Sequence, residues 1–191
     1  MSPQPASPAS LAVAGAKAPV AVESSPAQYL TFLLGGEMFA VGILNIKEII
    51  EYGTVTEIPM VPPFIRGVIN LRGAVVPVID LASRFGGKRS EISRRTCIVI
   101  IELAENDERQ DIGVVVDAVS EVLEIPATEI EPPPSFGARI RADFISGMGK
   151  VNGKFVILID TEKVLSLDEM AQLSELAQPQ ARLPQTNLQP S

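Results

Sequence analysis

One short pattern occurs twice in this chain, at a fixed separation of 80 residues. The stretch Arg66–Leu81 reads Arg-Gly-Val-Ile-Asn-Leu-Arg-Gly-Ala-Val-Val-Pro-Val-Ile-Asp-Leu. Its Gly67, Gly73, Val76, Ile79 and Asp80 return without a gap as Gly147, Gly153, Val156, Ile159 and Asp160. An apolar run, a tight glycine turn and a second apolar run describe two antiparallel strands. A hairpin written twice implies two halves of similar architecture. The copies differ in their polar residues: the first carries Asn70 and Arg72, the second Lys150 and Asn152.

A second echo precedes each hairpin. Ile46, Glu48, Ile49, Ile50 and Glu51 match Val119, Glu121, Val122, Leu123 and Glu124 at an offset of 73. Pro59, Pro62 and Pro63 then force an extended loop in the first half, and Pro126 and Pro132–Pro134 do so in the second. Upstream, Tyr29–Leu34, Gly35-Gly36 and Glu37–Val41 read as strand, turn and strand. Ile43, Ile46 and Ile50 follow at spacings of three and four, which predicts a short helix before Gly53. Asp80 and Asp160 each sit where a helix N-cap belongs. Ser166 and Glu169 form a capping-box pattern for a final helix with Leu167, Met170, Leu173 and Leu176 on its apolar face.

About ten short strands punctuated by Gly and Pro predict a mainly β fold. The expected architecture is two SH3-like five-stranded β-barrels from an internal duplication, with short connecting helices and a C-terminal helix. The barrel halves would lie at about 28–87 and 95–160, possibly exchanging one strand, with the helix at 161–176. Residues 1–27 and 177–191 are rich in Pro, Ala, Ser and Gln and are expected to be a disordered leader and tail.

Composition narrows the chemistry. The 191 residues contain no histidine, which removes a His base and a His metal ligand. The single cysteine, Cys97, cannot form an internal disulfide or a thiolate zinc site, and points to a cytosolic setting. A net charge of −7 opposes general nucleic-acid binding. No apolar run approaches the length needed to cross a bilayer.

Two polar features invite a chemical reading. Asp80 and Asp160, each ending a strand, could form the paired carboxylates of a two-lobed acid hydrolase that activates water. However, Leu81-Ala82 and Thr161-Glu162 follow them where such enzymes place Thr or Ser and then Gly, and capping explains both acids. The Gly86–Arg95 loop carries Lys88, Arg89, Arg94 and Arg95 against Glu91, which suits either a solvated connector or a phosphate-binding patch. No nucleotide-binding or hydrolase signature occurs elsewhere.

A non-catalytic binding protein is therefore the better expectation. Arg72, beside Asn70 in an apolar hairpin, is either an exposed turn charge or a fork of donors for a partner's carboxylate or carbonyl. Ile43 and Ile46 are either core or part of a groove for an amphipathic helix.

The segments Ile46–Ile49, Ile58-Pro59, Phe64–Gly73, Val76–Leu81 and Gly113–Val119 together resemble the CheW family of chemotaxis coupling proteins, over about Tyr29 to Leu173. The resemblance implies two intertwined SH3-like barrels. It also implies a cytoplasmic adaptor without enzymatic activity or cofactor, recruited to receptor arrays. Its expected partners are the regulatory domain of the histidine kinase CheA and the cytoplasmic tips of chemoreceptors. Family contact positions map onto Ile43, Ile46, Glu48, Gly67 and Arg72, with Asn70 adjacent. The CheA regulatory domain and CheV-type fusions share the fold; the expectation here is the separate coupling protein.

Overall fold

The computed structural model describes residues 3, 26–105, 107–133 and 142–166. The expected leader lies almost wholly outside these residues, and the tail and the 167–176 part of the final helix lie wholly outside them. Eleven strands are described: β1 (Ala27–Leu34), β2 (Glu37–Gly42), β3 (Ile46–Glu51), β4 (Ile65–Leu71), β5 (Ala74–Asp80), β6 (Cys97–Glu105), β7 (Glu108–Val116), β8 (Ala118–Ile125), β9 (Ile130–Glu131), β10 (Ile145–Val151) and β11 (Lys154–Ile159). Two single-turn helices, α1 (Leu81–Arg84) and α2 (Thr161–Val164), follow β5 and β11.

The strands form two sheets of the same plan. One is ordered β8-β1-β2-β11-β10-β9, the other β3-β6-β7-β5-β4. Matching β1 with β6, β2 with β7, β3 with β8, β4 with β10 and β5 with β11 turns one order into the other. The two-residue β9 pairs with β10, and its counterpart is an isolated bridge between Thr56 and Val68 of β4. The result is a mainly β pair of small barrels.

The barrels do not coincide with the contiguous halves 28–87 and 95–160. β1 and β2 leave the first half to join β8–β11, while β6 and β7 leave the second to join β3–β5. The exchange is thus two strands in each direction, not one. The junctions are parallel pairs, β2 with β11 and β5 with β7. A parallel pair cannot be closed by a tight turn, so its two members come from distant parts of the chain.

Packing follows from this exchange. Val76 and Val78 of β5, with Ile98 and Ile100 of β6, fill the interior of one barrel. Ala40, Ile125, Val156 and Leu158 fill the other. Val99 and Ile101, pointing the opposite way from Ile98 and Ile100, join Phe32, Phe39, Phe64, Ile79 and Phe144 in a third cluster drawing on both sheets. β6 is apolar on both faces because each face meets a different core. Each such side chain contributes about 1.5–3 kcal/mol by burial.

The expected helix around Ile43–Ile50 is not formed. Ile43–Asn45 make one turn of 3-10 helix, and Ile46–Glu51 are β3, paired with β6. The register slips between Ile46 and Glu48, so Lys47 is a bulge residue. Ile46 packs on the inter-barrel core, whereas Ile50 packs inside the barrel. Residues four apart in a regular strand share a face; the inserted Lys47 breaks that rule and sends Ile46 and Ile50 to different cores.

The duplication meets itself at Arg84. Its guanidinium lies 5.1 Å from the Phe64 ring centroid and 4.8 Å from that of Phe144, the same position in the second copy. Its Nε donates to the carbonyl of Val164, 2.9 Å away, which is the counterpart of Arg84 itself.

Candidate functional site

The β4–β5 hairpin places Arg72 and Gly73 in a two-residue turn between the paired residues Leu71 and Ala74. Both turn residues have positive φ, +52° and +89°; the copy, Asn152-Gly153, has +51° and +77°. Asn and Gly are the residues such a turn favours, because left-handed backbone crowds the Cβ of other L-residues at a cost of about 1–2 kcal/mol. Arginine at this position thus opposes the local backbone preference. Asn70 supports the turn, its Oδ1 accepting the Gly73 N–H at 2.8 Å.

The Arg72 side chain reaches across to β3, where its Nη2 lies 3.1 Å from Glu48 Oε2. Arg72 is 80% exposed and Glu48 25%. An ion pair so open to solvent contributes about 0–1 kcal/mol, which at best offsets the backbone cost. Stability therefore does not account for the arginine. What remains is an exposed guanidinium, oriented by a carboxylate and a turn, with donors free for a partner.

The remaining sequence candidates fall into two groups. Ile43 and Ile46 are half-buried against the inter-barrel core beside the Lys47 bulge. Lys47 itself bonds Asp111 at 3.0 Å and Glu102 at 3.3 Å, and the Asp111 hydrogen bond, then that of Glu102, holds its pKa above the usual lysine value. Gly67 is buried at φ +143°, and a Cβ there would stand 2.0 Å from the Thr56 carbonyl oxygen. Thr56 and Val68 exchange backbone hydrogen bonds of 2.9 Å at this crossing. Gly67 thus has an architectural reason to be glycine, with no side chain to offer a partner.

Two exposed apolar residues, Leu44 and Val75, lie near this site beyond the residues singled out by the sequence pattern. Leu44, between Ile43 and Ile46, is 96% exposed at the top of the 3-10 turn. Val75 is 73% exposed and pairs across the hairpin with Asn70. Leu44 is off the face marked by the three isoleucines, and that is the signal that could have singled it out. In the other barrel, the corresponding region is an open cleft of about 700 Å³, lined among others by Met38, Glu121, Leu123, Met148, Asn152 and Phe155. Glu121 and Asn152 stand there in place of Glu48 and Arg72.

The aspartate pair has no catalytic arrangement. Asp80 is fully buried, and its carboxylate accepts from Arg66 Nε at 2.9 Å, Ser90 N at 2.8 Å, Ser90 Oγ at 3.0 Å and Ser83 N at 3.2 Å. The carboxylate is thus occupied by donors of the fold and closed off from solvent, with no room for a substrate water. Asp160 caps α2 by accepting from Lys163 N at 3.2 Å. Both acids serve the fold, and Asp80 and Asp160 are not the paired carboxylates of a two-lobed hydrolase. Among the described residues, no cluster of His, Cys, Asp and Glu could hold a metal ion, and no helix is long and apolar enough to cross a membrane.

A duplicated, strand-exchanged pair of small barrels, carrying an exposed arginine on one hairpin, defines the class of structure. The family profile described as the CheW-like domain matches residues 28–169. A chemotaxis protein CheW from Klebsiella aerogenes is 36% identical over 158 residues, covering 83% of this chain and 93% of its own length. A chemotaxis protein CheW from Treponema pallidum is 28% identical over 160 residues, covering 84% of this chain and 94% of its own. The crystal structure of the scaffolding protein TtCheW from Thermoanaerobacter tengcongensis matches with a TM-score of 0.66 and 37% identity, covering 73% of this chain and 87% of that one. The chain belongs to the CheW family.

Proposed function

We propose that this protein is a non-catalytic adaptor that couples chemoreceptors, the methyl-accepting chemotaxis proteins, to the histidine kinase CheA. It would act in the cytoplasm, recruited to membrane-associated receptor arrays through protein contacts alone. Family membership and the scaffolding description of TtCheW support the adaptor role. The observation that carries the site is Arg72, an exposed arginine held at positive φ where its duplicate has the favoured asparagine.

In this reading Arg72 and Glu48 form the polar centre of the contact surface, and Asn70 fixes the turn that presents them. Ile43 and Ile46 supply its apolar flank, and Gly67 holds the hairpin against the Thr56 segment. Exposed Leu44 and Val75 extend the apolar contact. The test is reconstitution of receptor-containing membranes with CheA, with and without this protein. Kinase autophosphorylation should become receptor-controlled only when it is present, and Arg72→Glu should reduce that control while circular dichroism stays unchanged. Receptor-independent kinase activity that ignores the added protein would sink the adaptor reading.

A further inference from the structure

The loop between α1 and β6 is basic and anchored at two points. Lys88, Arg89, Arg94 and Arg95 are all exposed, as is Ile92 at 46%. Among the described residues, none of the four basic side chains makes a hydrogen bond or ion pair. Their backbone, by contrast, is fixed at two points. Ser90 is buried, its N–H and Oγ both donating to Asp80, while its carbonyl accepts from Arg66. Three residues on, the Ser93 N–H donates to Thr96 Oγ1 at 2.8 Å, Arg95 N–H to Ser93 Oγ at 3.2 Å, and Thr96 is buried. Anchoring reduces the ordering entropy that a loop loses when it binds.

We infer that the Gly86–Thr96 loop is a second docking surface, for an acidic segment of a partner protein. Four cations against one acid, in a chain of net charge −7, form a local field opposite in sign to the rest of the molecule. Nucleic acid is disfavoured because the loop has no aromatic side chain for base stacking and the remaining surface repels a long polyanion. A membrane is disfavoured because Ile92 is the loop's one exposed large apolar side chain. The surface is separate from the Arg72 site. The hairpin turn and Asp80 stand at opposite ends of the seven-residue β5, about 20 Å apart at the usual strand rise.

The test uses the full chain and a fluorescent peptide of alternating glutamate pairs and leucines, titrated at low and high salt. Parallel arms use vesicles of phosphatidylcholine with phosphatidylglycerol, and single-stranded oligothymidylate. The expected result is salt-sensitive peptide binding, weakened about tenfold or more by the combined changes Lys88→Glu, Arg89→Glu, Arg94→Glu and Arg95→Glu. The anchors are Ser90, Ser93 and Thr96, so this variant should keep its unfolding transition. Arg72→Glu should leave peptide binding unchanged, which separates this surface from the proposed adaptor site. Absence of peptide binding, binding that the charge-reversed protein retains, or stronger binding to vesicles or oligonucleotide would each overturn the inference.

Discussion

Arg66 Nη2 lies 2.8 Å from Asp80 Oδ2, and the Asp80 side chain is wholly screened from solvent. The corresponding position in the second copy is Ser146, and the acid there, Asp160, is 28% exposed. One copy of the hairpin therefore closes on a buried charge network and the other on a simple helix cap. Removing one partner of a buried pair strands the other, at a cost of about 3–5 kcal/mol, whereas losing an exposed cap costs about 0.5–2 kcal/mol. Asp80→Ala should consequently shift the urea unfolding midpoint far more than Asp160→Ala. Equal shifts would show that the Arg66–Asp80–Ser90 network contributes no more than a cap.

Gly67 separates architecture from recognition. A methyl group there would overlap the Thr56 carbonyl at 2.0 Å, and φ +143° is strained for any side chain. Gly67→Ala should destabilise the fold by about 1–3 kcal/mol or more, through displacement of the 52–64 loop. Gly73, with open space around it, should show only the strain of positive φ, about 1 kcal/mol as alanine. Denaturant unfolding of the two variants side by side tests this; a harmless Gly67→Ala would refute the crossing argument.

The duplication, the turns and the two caps were legible in the residues because each is local: glycine at a tight turn, Asp at a helix start. The exchange of β1–β2 with β6–β7 was not legible, because it rests on the parallel pairs β2–β11 and β5–β7, which leave no turn signal. The helix expected over β3 fails because Ile46 and Ile50, four apart, fit a strand as well as a helix, and Ile43 belongs to the preceding 3-10 turn. The duplicate of β3, Ala118–Ile125, is likewise a strand. For Gly67 the missing knowledge was what crosses it. That Glu48 pairs with Arg72 also required the fold, since 24 residues and a proline-rich loop separate them.

Leu44 should behave as a contact residue. It is 96% exposed, so Leu44→Ser should change unfolding free energy by less than about 0.5 kcal/mol. If the 3-10 turn belongs to the contact surface, the same change should weaken capture by CheA or receptor membranes at least severalfold. A pull-down against each partner separately would also show which of them meets this turn. Full capture by both would remove Leu44 from the surface.

On the proposed function, Arg72 sits in its turn for a partner and not for the fold. Asparagine, as in the second copy, relieves the positive-φ strain while removing the guanidinium. The decisive measurement is co-sedimentation of Arg72→Asn with receptor membranes and CheA, beside its urea unfolding curve. The expected protein is as stable as the parent, or more stable by up to about 1 kcal/mol, and its recovery in the ternary complex falls about tenfold. A folded Arg72→Asn protein that assembles as fully as the parent would contradict it.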